Sequence, residues 1–347
     1  MIRLFRWVLA TIVLSSCPTL AAGQSGFASR SIASPAPPSV ALPSSLQFTL
    51  EALGASSGVP DGLGGAWYSN APVRGQPAGF VLSSYQGGVT LPLATTDSDG
   101  LFGSASIGNA TSRTTAVLPV SKSRFPADLW NVQLGGGYVQ QRDSGWSWGI
   151  WGNVGSASDR PFRSLAEDTI SGLAFVRLPW TDETGWLFYV VSTTSGQFGR
   201  NIPIPGIAYE FQFHKLKGAV GFPFVTLNYR PENWLEFDFN YAALTDVLAR
   251  VTVHPYRSFR IFADYVWTNE SWFRADRTVR QDQLFRYEMR AEAGLGWSIA
   301  KRCDLRATAG YAFDRFFVEN SGYSLTGPNR IDLAPGPFVA AQFELRY

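Results

Sequence analysis

This chain of 347 residues is poor in the residues that build soluble active sites. It has two cysteines, Cys17 and Cys303, and two histidines, His214 and His254. No Cys-x-x-Cys pair or Cys/His cluster occurs, which argues against a zinc or haem site and leaves no cofactor to expect. Charge is scarce as well. Asp, Glu, Lys and Arg make up 16%, against about 25% in ordinary soluble domains. The formal charge is +2 and would fall to zero if a leader carrying Arg3 and Arg6 were removed. No basic patch suggests nucleic acid. Long apolar runs are missing: Trp7 to Leu14 is too short to span a bilayer as a helix.

What the chain does have is glycine, 34 residues, and aromatics, 14% with twelve tryptophans. It also has a strict period of two. At the C-terminus Val339, Ala341, Phe343, Leu345 and Tyr347 share one face of an extended strand, and Ala340, Gln342, Glu344 and Arg346 share the other. One face is apolar and ends in an aromatic, while the other is polar and charged. That dyad pattern is the signature of a transmembrane β-strand, with lipid on one side and a wet lumen on the other. A helical period would scatter the same charges around the cylinder.

Taken in order, residues 1–23 read as a secretory signal, with Arg3 and Arg6 before the apolar core and Thr19-Leu20-Ala21-Ala22-Gly23 as a cleavage region. A competing reading treats Leu14-Ser15-Ser16-Cys17 as a lipobox with Cys17 lipidated. Residues 24–76 are rich in Pro, Ser and Gly and are expected as a periplasmic linker or a segment entering the lumen. Residues 77–347 carry the alternation. Trp130, Val132, Leu134 and Tyr138 oppose Asn131, Gln133, Gly135 and Gly137. Trp146, Trp148, Ile150 and Val154 oppose Ser147, Gly149 and Asn153, with Trp151 breaking the pattern. The second half is cleaner, from Leu235-Glu236-Phe237-Asp238 to Leu305-Arg306-Ala307.

The fold class expected is an all-β, antiparallel, up-and-down transmembrane barrel. Short turns should lie on the periplasmic side and long loops outside. Placing the turns at 142–145 and 181–185 on the short-turn side requires 202–230 to be one long, Pro-bent strand. An even count then leaves a single strand in 77–120. This predicts twelve strands, with fourteen as the alternative.

The segments Ile202-Pro203-Ile204-Pro205-Gly206-Ile207-Ala208-Tyr209-Glu210-Phe211, Gly221 to Pro231 and Leu305 to Arg315, together with the C-terminal strand, resemble a bacterial family of outer-membrane β-barrel proteins classed as a domain of unknown function. The resemblance spans about 77–347. It implies location in the bacterial outer membrane and barrel architecture, and it brings no catalytic residues.

The inward positions of this register carry Glu236, Asp238, Arg250, Arg260, Asp264, Arg286, Glu288, Arg290, Glu292, Asp304, Arg306, Asp314, Glu344 and Arg346. Neighbouring strands offer opposite signs, worth about 0.2–1 kcal/mol per pair. The charges are read either as a network bracing the interior or as the lining of a water-filled passage with little preference for ion sign. Trp146, Trp180, Trp186, Trp234, Trp267, Trp272 and Trp297 fall near strand ends, as interfacial girdles would. His254 and Ser258 straddle a turn containing Pro255 and Tyr256, and read as rim residues rather than a catalytic pair. Arginines beside Glu288 and Glu292 would keep both ionised, unlike poised acids. The function expected is a passive pore for small solutes. The alternatives are a structural or surface-binding barrel with a filled lumen and, more remotely, a barrel enzyme. The partners expected are outer-membrane lipid and the barrel-assembly machinery, engaged through the C-terminal strand.

Overall fold

The period-two segments become strands in a computed structural model, which describes residues 62–195, 202–242, 246–300, 303–322, 324–327 and 329–345. In chain order they are β1 (Gly62–Tyr68), β2 (Ala71–Pro72), β3 (Gly79–Thr95), β4 (Asp99–Thr114), β5 (Asp128–Gln141), β6 (Ser147–Ser158), β7 (Asp168–Pro179), β8 (Thr184–Thr193) and β9 (Ile204–Gln212). Then follow β10 (Leu216–Phe222), β11 (Phe224–Glu232), β12 (Leu235–Ala242), β13 (Asp246–Tyr256), β14 (Phe259–Trp272), β15 (Gln283–Ala300), β16 (Cys303–Asn320), β17 (Asn329–Leu333) and β18 (Gly336–Leu345).

Each strand from β3 to β16 pairs antiparallel with its successor. β16 pairs with β18, β18 with β1 and β1 with β3, so the sheet closes on itself. β2 and β17 are short extensions at one end, bridged through Val73 and Leu333. The ring proper therefore has sixteen strands. Closure satisfies every wall strand on both edges, which is the condition for a sheet to stand in hydrocarbon.

The strand count corrects the expected twelve and its alternative, fourteen. Residues 77–120 hold two strands, β3 and β4, joined by a three-residue turn. Residues 202–230 fall in three strands, because Lys217 to Phe222 folds back onto Ile207 to Gln212 and Leu216 to Val220 pairs with Val225 to Tyr229. The third correction is β1: the wall begins at Gly62, inside the segment 24–76 expected as linker or lumen. Residues 1–61 lie outside those described. The sense of the strands survives these changes, because one strand and three leave the chain pointing the same way. The turns at 96–98, 142–146, 180–183 and 233–234 share the end where β1 starts and β18 stops. The longer connections at 115–127, 159–167 and 273–282 lie at the other end.

Large apolar residues stand exposed around the outside, among them Leu134, Ile150, Val154, Ile170, Phe188, Val220, Phe237, Ile261, Leu295 and Val339. Inside, the wall has two characters. From β5 to β11 it is apolar, with Val139, Trp151, Leu173, Phe175, Leu187, Tyr189, Ala208, Ala219 and Phe224 in one buried cluster. Glycine makes room for it: a Cβ on Gly137 would lie 2.2 Å from the Trp151 ring, and one on Gly206 would lie 2.0 Å from Tyr189. Trp151, the exception to the outward pattern, thus occupies an inward position over a strand that has no side chain to oppose it. From β12 round to β1 the inner wall is charged.

Candidate functional site

The charged half-wall is the candidate site. It rests on long strands whose alternation places carboxylates and guanidinium groups opposite one another on adjacent strands. Asp238 is the register partner of Arg250, and Arg250 of Asp264. Arg250 donates to both Asp264 oxygens, Nε at 2.8 Å and Nη2 at 2.5 Å, and its guanidinium lies 4.9 Å from the Phe262 ring centre. Asn228 donates to Glu236 and to Asp238, both at 2.6 Å. Nearer the short-turn end, His254 Nε2 meets Glu236 at 3.1 Å, Arg260 meets Asp304 at 3.3 Å and Arg306 meets Glu344 at 3.2 Å.

The densest cluster centres on Glu288, which is 1% exposed. Its Oε1 accepts from the Tyr68 hydroxyl at 2.6 Å and from Arg286 at 3.1 Å, and its Oε2 accepts from Arg315 at 3.0 Å. Arg290 lies 3.8 Å from both Glu288 and Glu292, and Arg286 also reaches Glu270 at 3.0 Å. Tyr68 accepts from Arg286 at 3.0 Å and from Arg290 at 3.3 Å, while its ring underlies Arg315 at 4.7 Å. Three arginines thus meet three carboxylates around one phenol. Such an arrangement suits a buried site, where an unpaired charge is far more costly than a paired one.

The structure therefore brings together Glu236, Asp238, Arg250 and Asp264 as one group, Arg286, Glu288, Arg290 and Glu292 as a second, and Arg260 with Asp304 and Arg306 with Glu344 as pairs. Arg346 and Tyr347 lie outside the described residues. Asp314 is a correction. It takes φ +46° at a bulge where Glu288 faces two residues of β16, and its side chain is exposed. The extra residue turns Arg315 inward in its place. Tyr68 and Glu270 were missed because neither segment shows a clear alternation. Arg177 and Glu210, an ion pair at 2.6 Å between β7 and β9, were missed because glycines and aromatics blur the pattern there. The girdle reading also needs one correction. Trp180, Trp234 and Trp297 are exposed at the short-turn end, but Trp272 is buried in an interior cluster.

That cluster sits at the opposite end, under the long connections. The 115–127 segment folds as a small hairpin and buries Ala116, Leu118 and Phe125 against Phe80, Leu82, Trp272, Phe317 and Phe338. The Phe80, Phe125 and Phe317 rings meet with centroids 4.7–5.5 Å apart. Polar bonds tie the hairpin down: Gln76 exchanges two with Val117, at 2.8 and 2.9 Å, and Asn329 accepts from the Val120 and Ser121 amides. At the long-loop end the 115–127 hairpin therefore folds inward against the wall formed by β3, β14, β16 and β18. Cys303 is a free thiol; Cys17 lies outside the described residues. Among the described residues no group of three or more His, Cys, Asp or Glu is placed to hold a metal ion.

No family model matches the chain, and no curated protein matches it. Solved structures similar to it are membrane barrels of very low identity. A mutant of the monoaromatic hydrocarbon channel TodX is 9% identical, with 83% of this chain and 91% of that chain covered and a TM-score of 0.37. The toluene transporter TodX of Pseudomonas putida is 9% identical, covering 82% and 89%, with a TM-score of 0.33. The β domain of the Bordetella autotransporter BrkA is 9% identical, covering 82% and 98%, with a TM-score of 0.24. These superpositions are too loose to carry an argument, so the fold rests on the strand pairing of this chain itself.

Proposed function

We propose that this chain is an integral β-barrel of the bacterial outer membrane that passes small solutes, with its outer mouth closed in the state seen here. The observation that carries the reading is the closed sixteen-strand ring with an apolar outer face and paired charges on half of its inner face. Strands about 4.8 Å apart and tilted by about 40° give a round sixteen-strand ring a radius of roughly 16 Å. A round ring of that size leaves an aqueous passage; here the outer ends of β6 and β14 meet, which closes the bore at that end. The balanced charges favour weak discrimination between cations and anions. The start of β1, the end of β18 and the short turns face the periplasm, export proceeds through residues 1–23, and the C-terminal strand is the segment presented to the assembly machinery. No catalytic role is assigned.

The test is conductance of the refolded mature chain in planar bilayers, with heat-modifiable gel migration as the folding control. Discrete steps with a potassium-to-chloride preference below about threefold are expected. The channel reading is overturned if folded protein gives no steps at any voltage, both as the intact chain and with the 273–282 segment shortened.

A further inference from the structure

In a round sixteen-strand ring, β6 and β14 stand eight places apart, on opposite walls. By the radius above their backbones would be separated by roughly 30 Å. At the outer end they touch. Phe273, the residue after β14, forms a parallel bridge with Ser158, the last residue of β6. Its amide donates to the Ala157 carbonyl at 2.8 Å, and its carbonyl accepts from the Asp159 amide at 3.4 Å. The Ala275 amide adds a bond to the Asp159 carboxylate at 2.7 Å. Two opposite walls are thus joined across the mouth by main-chain hydrogen bonds.

The segment that makes this join is polar. Phe273 is its one fully buried apolar anchor, and two arginines hold the rest. Arg274, 1% exposed, donates to both oxygens of Glu319 at 3.0 and 3.1 Å, to Asp276 at 2.8 Å and to Ser123 of the 115–127 hairpin at 2.8 Å. Arg277 reaches Glu167 at 3.4 Å and the Ala166 carbonyl at 2.9 Å, and lies over the Phe273 ring at 4.8 Å. A contact built on charges surrenders little net stability when it opens, because water re-solvates the ions it releases. An apolar plug of the same extent would have no such compensation.

We propose that residues 273–282 form a releasable strap across the outer mouth, with Arg277 pinning it to Glu167 on the β6 side and Arg274 fixing its base to Glu319 of β16 and to Ser123 of the hairpin, so that losing both pins frees the segment, parts β14 from β6 and opens the lumen. The proposal rests on the channel reading, and the test separates the two. In a background with Cys17 and Cys303 replaced by Ser, three chains are compared with the parent: Arg274→Ala with Arg277→Ala; Ser158→Cys with Phe273→Cys, oxidised or reduced; and Leu118→Cys, with and without the two arginine changes. Open probability is read in planar bilayers. Labelling of the thiol introduced by Leu118→Cys, on the buried face of the hairpin, is read on whole cells with a membrane-impermeant maleimide.

The expected result is at least a tenfold rise in both open probability and labelling rate when the arginines are removed. The oxidised pair, whose bridge geometry suits a disulfide, should be silent, and reduction should restore steps. Labelling that rises while no variant conducts would support the strap and overturn the channel. A folded double-arginine variant within twofold of the parent on both readouts, together with a disulfide that leaves conductance unchanged, would overturn the strap and leave the channel standing.

Discussion

Glu288→Gln should be among the most destabilising conservative changes in this barrel, and its size is calculable. The substitution keeps the shape of the side chain and removes one negative charge from a site that is 1% exposed. Arg286, at 3.1 Å, and Arg315, at 3.0 Å, lose their shared counter-ion, and Arg290 loses one of its two. Glu270 and Glu292 remain, but each is tied to one arginine from the far side. Removing one partner of a buried ion pair costs about 3–5 kcal/mol, because the remaining charge stays buried. A carboxamide can retain the Tyr68 bond in neutral form, which sets the expectation near 3 kcal/mol, or more than a hundredfold in the folding equilibrium. The assay is urea unfolding in lipid vesicles followed by tryptophan fluorescence. Arg315→Met and the double variant complete a cycle: the double variant should be more stable than additivity predicts by about 1 kcal/mol or more. A loss below about 1 kcal/mol for Glu288→Gln with an additive double variant would refute the reasoning, since it would mean that these charges are solvated individually.

Further outcomes follow from single contacts. Leu134, exposed on the outer face of β5, should tolerate Arg poorly in a bilayer, losing about 2–4 kcal/mol at mid-depth in the same urea assay; no change would argue against lipid contact there. Asp314, at φ +46°, should accept Gly without loss and resist Val by about 1–2 kcal/mol, read from paired urea midpoints. Gly206→Val should displace the Tyr189 ring that covers it, seen as a folded barrel with a lowered thermal midpoint on the heat-modifiable gel. A Gly206 variant of wild-type stability would show that the apolar half-wall is loosely packed.

Legibility varied along the chain with the strength of the alternation. From Leu235 to Leu345 the strands, apart from ends such as Thr268 to Trp272, carry charges on one face and apolar residues on the other, so a shift of one residue would place ions on the apolar outer face. Register there is over-determined, and the inward Arg250, Asp264, Glu288 and Arg306 could be read directly. In β3, β4 and β9 to β11, glycine, serine and proline weaken that contrast. Three strands from 202 to 230 then read as one, and the strand of Gly62 to Tyr68 went unseen.

Period two also has a blind spot at irregularities. One extra residue at Asp314 exchanges the faces beyond it, and no pattern in Phe313-Asp314-Arg315-Phe316 announces where the bulge lies. Which face is apolar followed from side-chain chemistry, and at which end the turns are short followed from the lengths of the connections, because both are local properties of the chain. How many strands close the ring, that Arg315 and Tyr68 complete the Glu288 site, and that Phe273 meets Ala157 across the mouth depend on contacts between residues 27 to 220 positions apart. Closure of the ring, and the meeting of its opposite walls at the outer end, decide those contacts, and no local preference in the chain encodes them.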